Sequence, residues 1–269
     1  MPRILANRSV MIATLTVALA GDFVRNLVGI PVWGALLTAG AVWGVAVVVS
    51  ARVSWRDVPL PLLAVVGWWL ISPAWSPYGL SSLTMLIAVG IAAVVGIAMV
   101  TAVPLDEFIS RGATTLRLIL SASLVFEMGV ALTGAPLYPI GVVPTASTPI
   151  EAAWCRGEFF DWTARIQGIV GNANVLGMLA LVALVVSGWR LFNARSWRTV
   201  STVDVALAGV VIARTASATV TVTLVGLAVI IGLTALARRP ALPWRVALVA
   251  ALVGIAAAVV VAVTQWSAL

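Results

Sequence analysis

The sequence predicts an all-α fold: a polytopic transmembrane helix bundle of about nine helices, N-terminus cytoplasmic and C-terminus extracytoplasmic. Three observations predict it. Hydrophobic residues make up 62% of the 269 positions and charged residues only 9%, with a mean hydropathy of +1.13. One soluble core of this size cannot hide that much apolar surface. The apolar residues also come in continuous membrane-length runs rather than alternating. Helices therefore satisfy the backbone, not a membrane barrel. Finally, the arginines sort to one side of those runs, as cytoplasmic loops require.

The candidate spans lie near 9–24, 27–50, 58–73, 80–103, 116–133, 170–189, 200–213, 216–237 and 246–266. With the N-terminus inside, Arg3, Arg8, Arg52, Arg56, Arg111, Arg117, Arg190, Arg195, Arg198, Arg238, Arg239 and Arg245 fall at cytoplasmic ends. Only Arg25, Arg156, Arg165 and Arg214 fall outside. Trp55, Trp75, Trp154, Trp162, Trp189, Trp197, Trp244 and Trp266 lie at predicted interfaces, where the indole ring suits the headgroup region. The first span has a second reading. Arg3 and Arg8 precede a short apolar run, and Ala18-Leu19-Ala20 resembles a signal-peptidase site. An uncleaved first helix is the preferred reading, and either way the next segment starts outside.

Residues 1–269 read as a single transmembrane domain with one loop of substance, about 133–164. That loop holds Pro136, Pro139, Pro144 and Pro149 and the mixed-charge run Glu151–Asp161, so it is irregular and surface-hugging. No internal repeat, low-complexity tail or nucleotide-binding loop is visible.

The net charge of +7 is carried by arginine alone. A basic balance usually suggests nucleic acid or anionic lipid. Here topology accounts for most of the arginines, so membrane lipids are expected partners and nucleic acid is not. One cysteine, Cys155, and no histidine exclude an internal disulfide, argue against a Cys/His metal site and remove histidine as a general base. No metal or cofactor is expected.

The most informative stretch is Arg165-Ile-Gln-Gly-Ile-Val-Gly-Asn-Ala-Asn-Val-Leu-Gly177, which runs straight into a membrane-length apolar helix. A cation and a cluster of amides at that position are costly unless something anionic or sugar-like sits there. Arg214 is similarly placed, between the apolar stretches Val203–Ala213 and Ala216–Ala237. An arginine near the bilayer centre costs roughly 2.5–3.5 kcal/mol, and less near the surface. A bound anion offsets that cost, and the guanidinium fork matches phosphate oxygens bidentately. Two such forks on neighbouring helices would clamp a diphosphate. Asn172 or Asn174 is placed to cap the following helix, whose N-terminus carries partial positive charge. Gly168 and Gly171 would let the backbone approach a ligand closely, beside Gln167. The competing reading is that outer arginines snorkel to lipid phosphate and that Asn plus Gly is ordinary helix-start chemistry. That reading is preferred for Arg25, with Asp22 three residues back, and for Arg156, with Glu158 nearby. Glu127 is an isolated intramembrane acid in the fifth span, open to protonation, to pairing with an outer arginine, or to facing a water-filled cavity. Asp204, Cys155 and the Trp68-Trp69 pair read as structural.

The stretch from Arg165 to Gly177 resembles the arginine-plus-"G-N-x-N-x-L-G" signature of the O-antigen ligase and polymerase superfamily. Leu70-Ile-Ser-Pro-Ala-Trp-Ser-Pro-Tyr-Gly-Leu-Ser-Ser-Leu is similar to that family's early "S-x-x-W-S" outer turn. Ala213-Arg214-Thr215-Ala216-Ser217-Ala218 is similar to its "S-R-T/G-A" segment, with Ala213 in place of the usual serine. The resemblance spans the chain by topology and is specific at one motif. It implies an inverting, metal-independent glycosyltransferase of the inner membrane. The donor would be a glycan on a polyprenyl diphosphate, in cell-envelope polysaccharide assembly, and the acceptor is open. Arg165 and Arg214 would bind the diphosphate and stabilise it as it leaves, with Gln167, Gly168, Gly171, Asn172 and Asn174 supporting the donor site. The family's acceptor-activating histidine is expected in a large loop after the helix ending near Gln265, and no catalytic residue is identified here. The expectation is therefore a front portion of such an enzyme, inactive alone; the alternative is a shortened member with a different base, for which Glu158 and Asp161 are candidates. Two other classes compete. A transporter or flippase predicts inverted repeats and interrupted helices near the midplane. A non-catalytic scaffold predicts that Arg165→Ala and Arg214→Ala affect only stability.

Overall fold

A computed structural model describes residues 8–50, 60–77, 86, 90–99, 104–145, 147–193, 198–237 and 254. Among them the secondary structure is helical, with an isolated bridge between Leu137 and Cys155 and no strand. The helices are α1 (Arg8–Leu19), α2 (Gly21–Val28), α3 (Ile30–Ser50), α4 (Leu60–Ile71), α5 (Gly90–Met99), α6 (Leu105–Thr133), α7 (Ala173–Asn193), α8 (Arg198–Thr215) and α9 (Ala218–Ala237). Ile30–Ser50, Leu105–Thr133 and Ala173–Asn193 are long and apolar enough to cross a membrane. The expected span 246–266 lies outside the described residues but for Gly254. So do Trp55, Trp197, Trp244 and Trp266.

Cα packing divides the chain into two compact units. The first is residues 1–115 with 139–143. Here the expected first span, 9–24, is broken: α1 stops at Leu19, Ala20 leaves helical geometry, and the short α2 follows. Asp22 and Arg25 give α2 a polar face and pair across one turn at 3.2 Å. Gly29, at φ +87°, ends α2, and Pro31 opens α3 where its missing N–H is not needed. Val95 and Met99 of α5 pack with Leu15, Trp43, Ile91 and Phe108. Gly44 of α3 lets α5 approach: a Cβ there would stand 3.0 Å from Val94 Cγ1.

The second unit is residues 116–138 with 144–269. Its helix α6 begins earlier than the span edge at 116, because Pro104 caps it and Asp106 and Glu107 complement the dipole of its first turn. Thr133 ends α6, and Gly134 at φ +69° turns the chain away. α7 packs along α8 and touches α9. Gly177 of α7 sits at that crossing, where a Cβ would stand 2.8 Å from Val220 Cγ2 and 2.9 Å from Thr215 Oγ1. A buried ion pair adds direction. Asp204 of α8, 3% exposed, takes both arms of Arg117 from α6 at 2.5 and 2.8 Å, and the Ser187 hydroxyl of α7 at 3.4 Å. Asp204 is thus structural, as its position in sequence suggested.

Candidate functional site

The Arg165–Gly177 stretch and the α8–α9 turn meet in the second unit. Arg165 to Asn172 form an irregular strap that ends in the cap of α7. Asn172 is the cap: its Oδ1 accepts the backbone N–H of Asn174 at 2.9 Å and of Val175 at 3.2 Å. Asn174 lies within the first turn and does different work. Its Oδ1 accepts from Arg165 Nη2 at 2.7 Å and from the Ser217 hydroxyl at 2.9 Å. One amide oxygen therefore ties the strap, the start of α7 and the start of α9.

The turn between α8 and α9 is built for this. Ala216 holds φ at +43°, a left-handed conformation unusual for a residue with a Cβ. Ser217 then caps α9, accepting the N–H of Val220 at 3.4 Å while donating to Asn174. The residue before Arg214 is Ala213, and the hydroxyl of this turn that reaches Asn174 belongs to Ser217.

Two backbone contacts bring the arginines together. Arg165 Nε donates to the Thr215 carbonyl at 2.8 Å, and the Ile166 N–H donates to the Arg214 carbonyl at 3.1 Å. Arg214 reaches toward the Phe159–Trp162 segment. It is 5% exposed, donates through Nη2 to the Phe159 carbonyl at 2.5 Å, and lies 4.7 Å over the Trp162 ring and 5.8 Å over the Phe159 ring. Its Nη1 is buried without a hydrogen-bond partner. Among the described residues, neither Arg165 nor Arg214 forms a salt bridge. The carboxylate whose charge reaches Arg214 is Asp161. Its pKa is held down first by the Thr163 hydroxyl and the Thr163 N–H, and lastly by Arg214.

The glycines of the strap act differently from the expectation. Gly168 and Gly171 adopt φ of +63° and +66°, and the Gly171 N–H closes a turn on the Gly168 carbonyl at 3.2 Å. Such a loop makes a nest for an anion. The anion in it is internal: Glu127 Oε1 accepts the N–H of Gln167 and of Gly168, each at 2.7 Å. Gln167 and Gly168 thus face α6 with their backbone donors already engaged. A Cβ at Gly168 would stand 2.6 Å from Ser123 Cβ and Oγ and 2.9 Å from Leu176 Cδ2, so close packing requires this glycine. Ser123 Oγ accepts the Ile169 N–H at 3.3 Å, and Trp154 Nε1 donates to the Ile169 carbonyl at 3.1 Å.

Several expectations change here. Glu127 is 3% exposed and forms no ion pair among the described residues. In place of an outer arginine it takes two backbone amides and the Cys155 thiol, which donates to Oε2 at 3.1 Å. Cys155 is fully buried, and its pKa is pushed up to about 12, first by burial and then by the Glu127 charge. Trp154 is no interfacial anchor: it is 5% exposed and packs 4.6 Å from the Phe126 ring. Arg156 makes no ion pair with Glu158 among the described residues, whereas Arg25 does pair with Asp22. The Trp68-Trp69 pair belongs to the other unit, 62% and 42% exposed, with Trp68 against Trp75.

Sequence reasoning missed Ser123, Ser217, Phe159 and the Trp162 stack. Two of these had a signal. Ser123 and Glu127 stand four apart on an apolar helix, and Ser217 precedes an apolar run as a cap does. Among the described residues no cluster of acids and cysteine suits a metal ion. Comparison with known proteins found no match: no family model, no curated protein and no solved structure matches the chain.

Proposed function

We propose that this chain carries the donor-binding site of a multi-pass membrane glycosyltransferase of the O-antigen ligase and polymerase type. It takes a glycan carried on a polyprenyl diphosphate in cell-envelope polysaccharide assembly, in the inner membrane. Its N-terminus is cytoplasmic and the Arg165 strap extracytoplasmic.

The observation that carries the reading is the arrangement of the two arginines. Arg165 and Arg214 are joined through the Thr215 and Arg214 carbonyls. Among the described residues their hydrogen-bond acceptors are neutral: the Thr215 and Phe159 carbonyls and the Asn174 amide. Neutral acceptors orient a guanidinium without cancelling its charge. Two oriented guanidinium groups beside a helix start, neither in a salt bridge among the described residues, make a field suited to a diphosphate, in ground state and as leaving group. Arg214 is almost wholly buried, and the two N–H groups of its Nη1 have no hydrogen-bond partner within the protein, so they remain for such a ligand. The Asn172 cap consumes two helix-start N–H groups, so the arginine side chains, not the helix terminus, carry the recognition.

The test is binding of the full chain, in lipid nanodiscs, to polyprenyl diphosphate and to polyprenyl monophosphate. Arg165→Ala and Arg214→Ala each lose about 10- to 100-fold in diphosphate affinity, the range of one charge-assisted hydrogen bond. Equal affinity of wild type for the two lipids, or unchanged binding by both variants, would overturn the reading. With no histidine in the chain, glycan transfer by the isolated chain is not expected.

A further inference from the structure

Glu127 does nothing in the proposed recognition directly, yet it is 3% exposed and accepts three hydrogen bonds. One carboxylate oxygen takes two consecutive backbone amides, Gln167 and Gly168, at 2.7 Å each. The other takes the Cys155 thiol at 3.1 Å. One turn earlier on α6, Ser123 takes the next amide, Ile169, at 3.3 Å. Three consecutive N–H groups of the strap are therefore held by two side chains of a single helix. The same strap begins with Arg165, two residues before Gln167. Its other end is held by the Asn172 cap.

A short charged acceptor inside an apolar helix is expensive to keep. Packing alone does not require it, because an apolar residue fills the same volume, but such a residue would leave the two amides without an acceptor. What a carboxylate supplies is direction: its two oxygens fix the two amides and so the path of the strap. Arg165 then needs only the Thr215 carbonyl and Asn174 to set its guanidinium. We infer that Glu127 is the positioning residue of this site: it holds the Gln167–Gly168 backbone so that Arg165 meets the diphosphate oxygens. This rests on the reading of Arg165 as a diphosphate ligand.

A residue that acts through Arg165 has a signature that a merely structural residue lacks. Its removal costs nothing further once Arg165 is gone. The experiment measures polyprenyl diphosphate affinity of the full chain in nanodiscs for wild type, Glu127→Ala, Glu127→Gln, Arg165→Ala and the Glu127→Ala/Arg165→Ala pair. Glu127→Ala weakens binding about tenfold or more, within the range set by losing one charged contact. Glu127→Gln recovers most of it, since its amide oxygen still accepts both N–H groups. The double variant binds no more weakly than Arg165→Ala. If Glu127→Ala fails to fold, Ser123→Ala replaces it in the same cycle, with a smaller loss and the same non-additivity. An unweakened Glu127→Ala, or losses that add, would overturn the inference while leaving the diphosphate reading standing. An unweakened Arg165→Ala would instead sink the reading on which it rests.

Discussion

Gly168→Ala is the smallest change that separates the strap geometry described above from a generic flexible loop. Two costs arise at once. An alanine at φ +63° sits in the left-handed region, at about 1–2 kcal/mol. Its Cβ would also stand 2.6 Å from Ser123 Cβ and Oγ and 2.9 Å from Leu176 Cδ2. The Ser123 hydroxyl can rotate away, and Leu176 has some freedom at its tip. The Ser123 Cβ is fixed to the backbone of α6 and cannot move. Overpacking of this kind costs about 1–3 kcal/mol. The sum is about 2–5 kcal/mol, unless the strap shifts and gives up the Glu127 amide bonds, which costs a similar amount. The assay is thermal unfolding in detergent, followed by tryptophan fluorescence, beside Gly188→Ala. Gly188 lies in α7 with nothing within 4 Å of an added Cβ, so the same chemical change there is neutral or stabilising. In a double variant, Ser123→Gly removes the fixed Cβ and returns part of the loss as a favourable coupling. A Gly168→Ala midpoint equal to wild type, with no coupling to Ser123, would refute the close approach of strap and α6.

Further outcomes follow from other contacts. Asp204→Ala strands Arg117 in a largely buried site and destabilises by about 2–4 kcal/mol, somewhat under the fully buried range because the Arg117 side chain is 30% exposed. Arg117→Met with Asp204→Leu recovers most of that loss, checked by the same melting assay. Cys155 resists maleimide in the folded protein at pH 7 to 9 and reacts readily after unfolding, because the thiolate is the nucleophile and the folded pKa is about 12. The sign for stability follows. The thiol is raised in the folded state from a reference of 9.0, so its contribution is full below pH 9 and is lost as pH rises toward 12. Cys155→Ser, which lacks that titration near 9, shows a weaker decline of the melting midpoint over the window. Gly177→Leu forces α7 from α9 against Val220 and Thr215 and lowers the midpoint, whereas Gly209→Ala, with open space around it, does not.

How much of this was legible in the sequence differs between elements. The apolar runs near 27–50, 116–133 and 170–189 place α3, α6 and α7, because burial in lipid is a property of composition over twenty residues. The first run misled, since Asp22 and Arg25 are two charges in an otherwise apolar segment. Only the structure shows the break at Ala20, beyond which the two pair within a second helix. The cap before α7 was legible as Asn172 or Asn174, and the folded geometry decides between them. A cap is defined by which oxygen reaches the N–H two and three residues on.

Composition by itself determined that the chain is helical and rich in membrane-length apolar segments, and that Arg165, Arg214 and Glu127 are charges in costly places. Those conclusions rest on short-range energetics: the transfer of each side chain, summed along one segment. Tertiary structure alone decided the partners. It joined Arg165 to Thr215 across fifty residues of chain and seated Glu127 under the amides of Gln167 and Gly168. It also filled the glycine nest with an internal carboxylate rather than leaving it to a ligand. Hydrogen bonds are directional and reach only about 3 Å. Which donor a buried acceptor meets is therefore fixed by how helices pack, a long-range property that no local pattern of residues encodes.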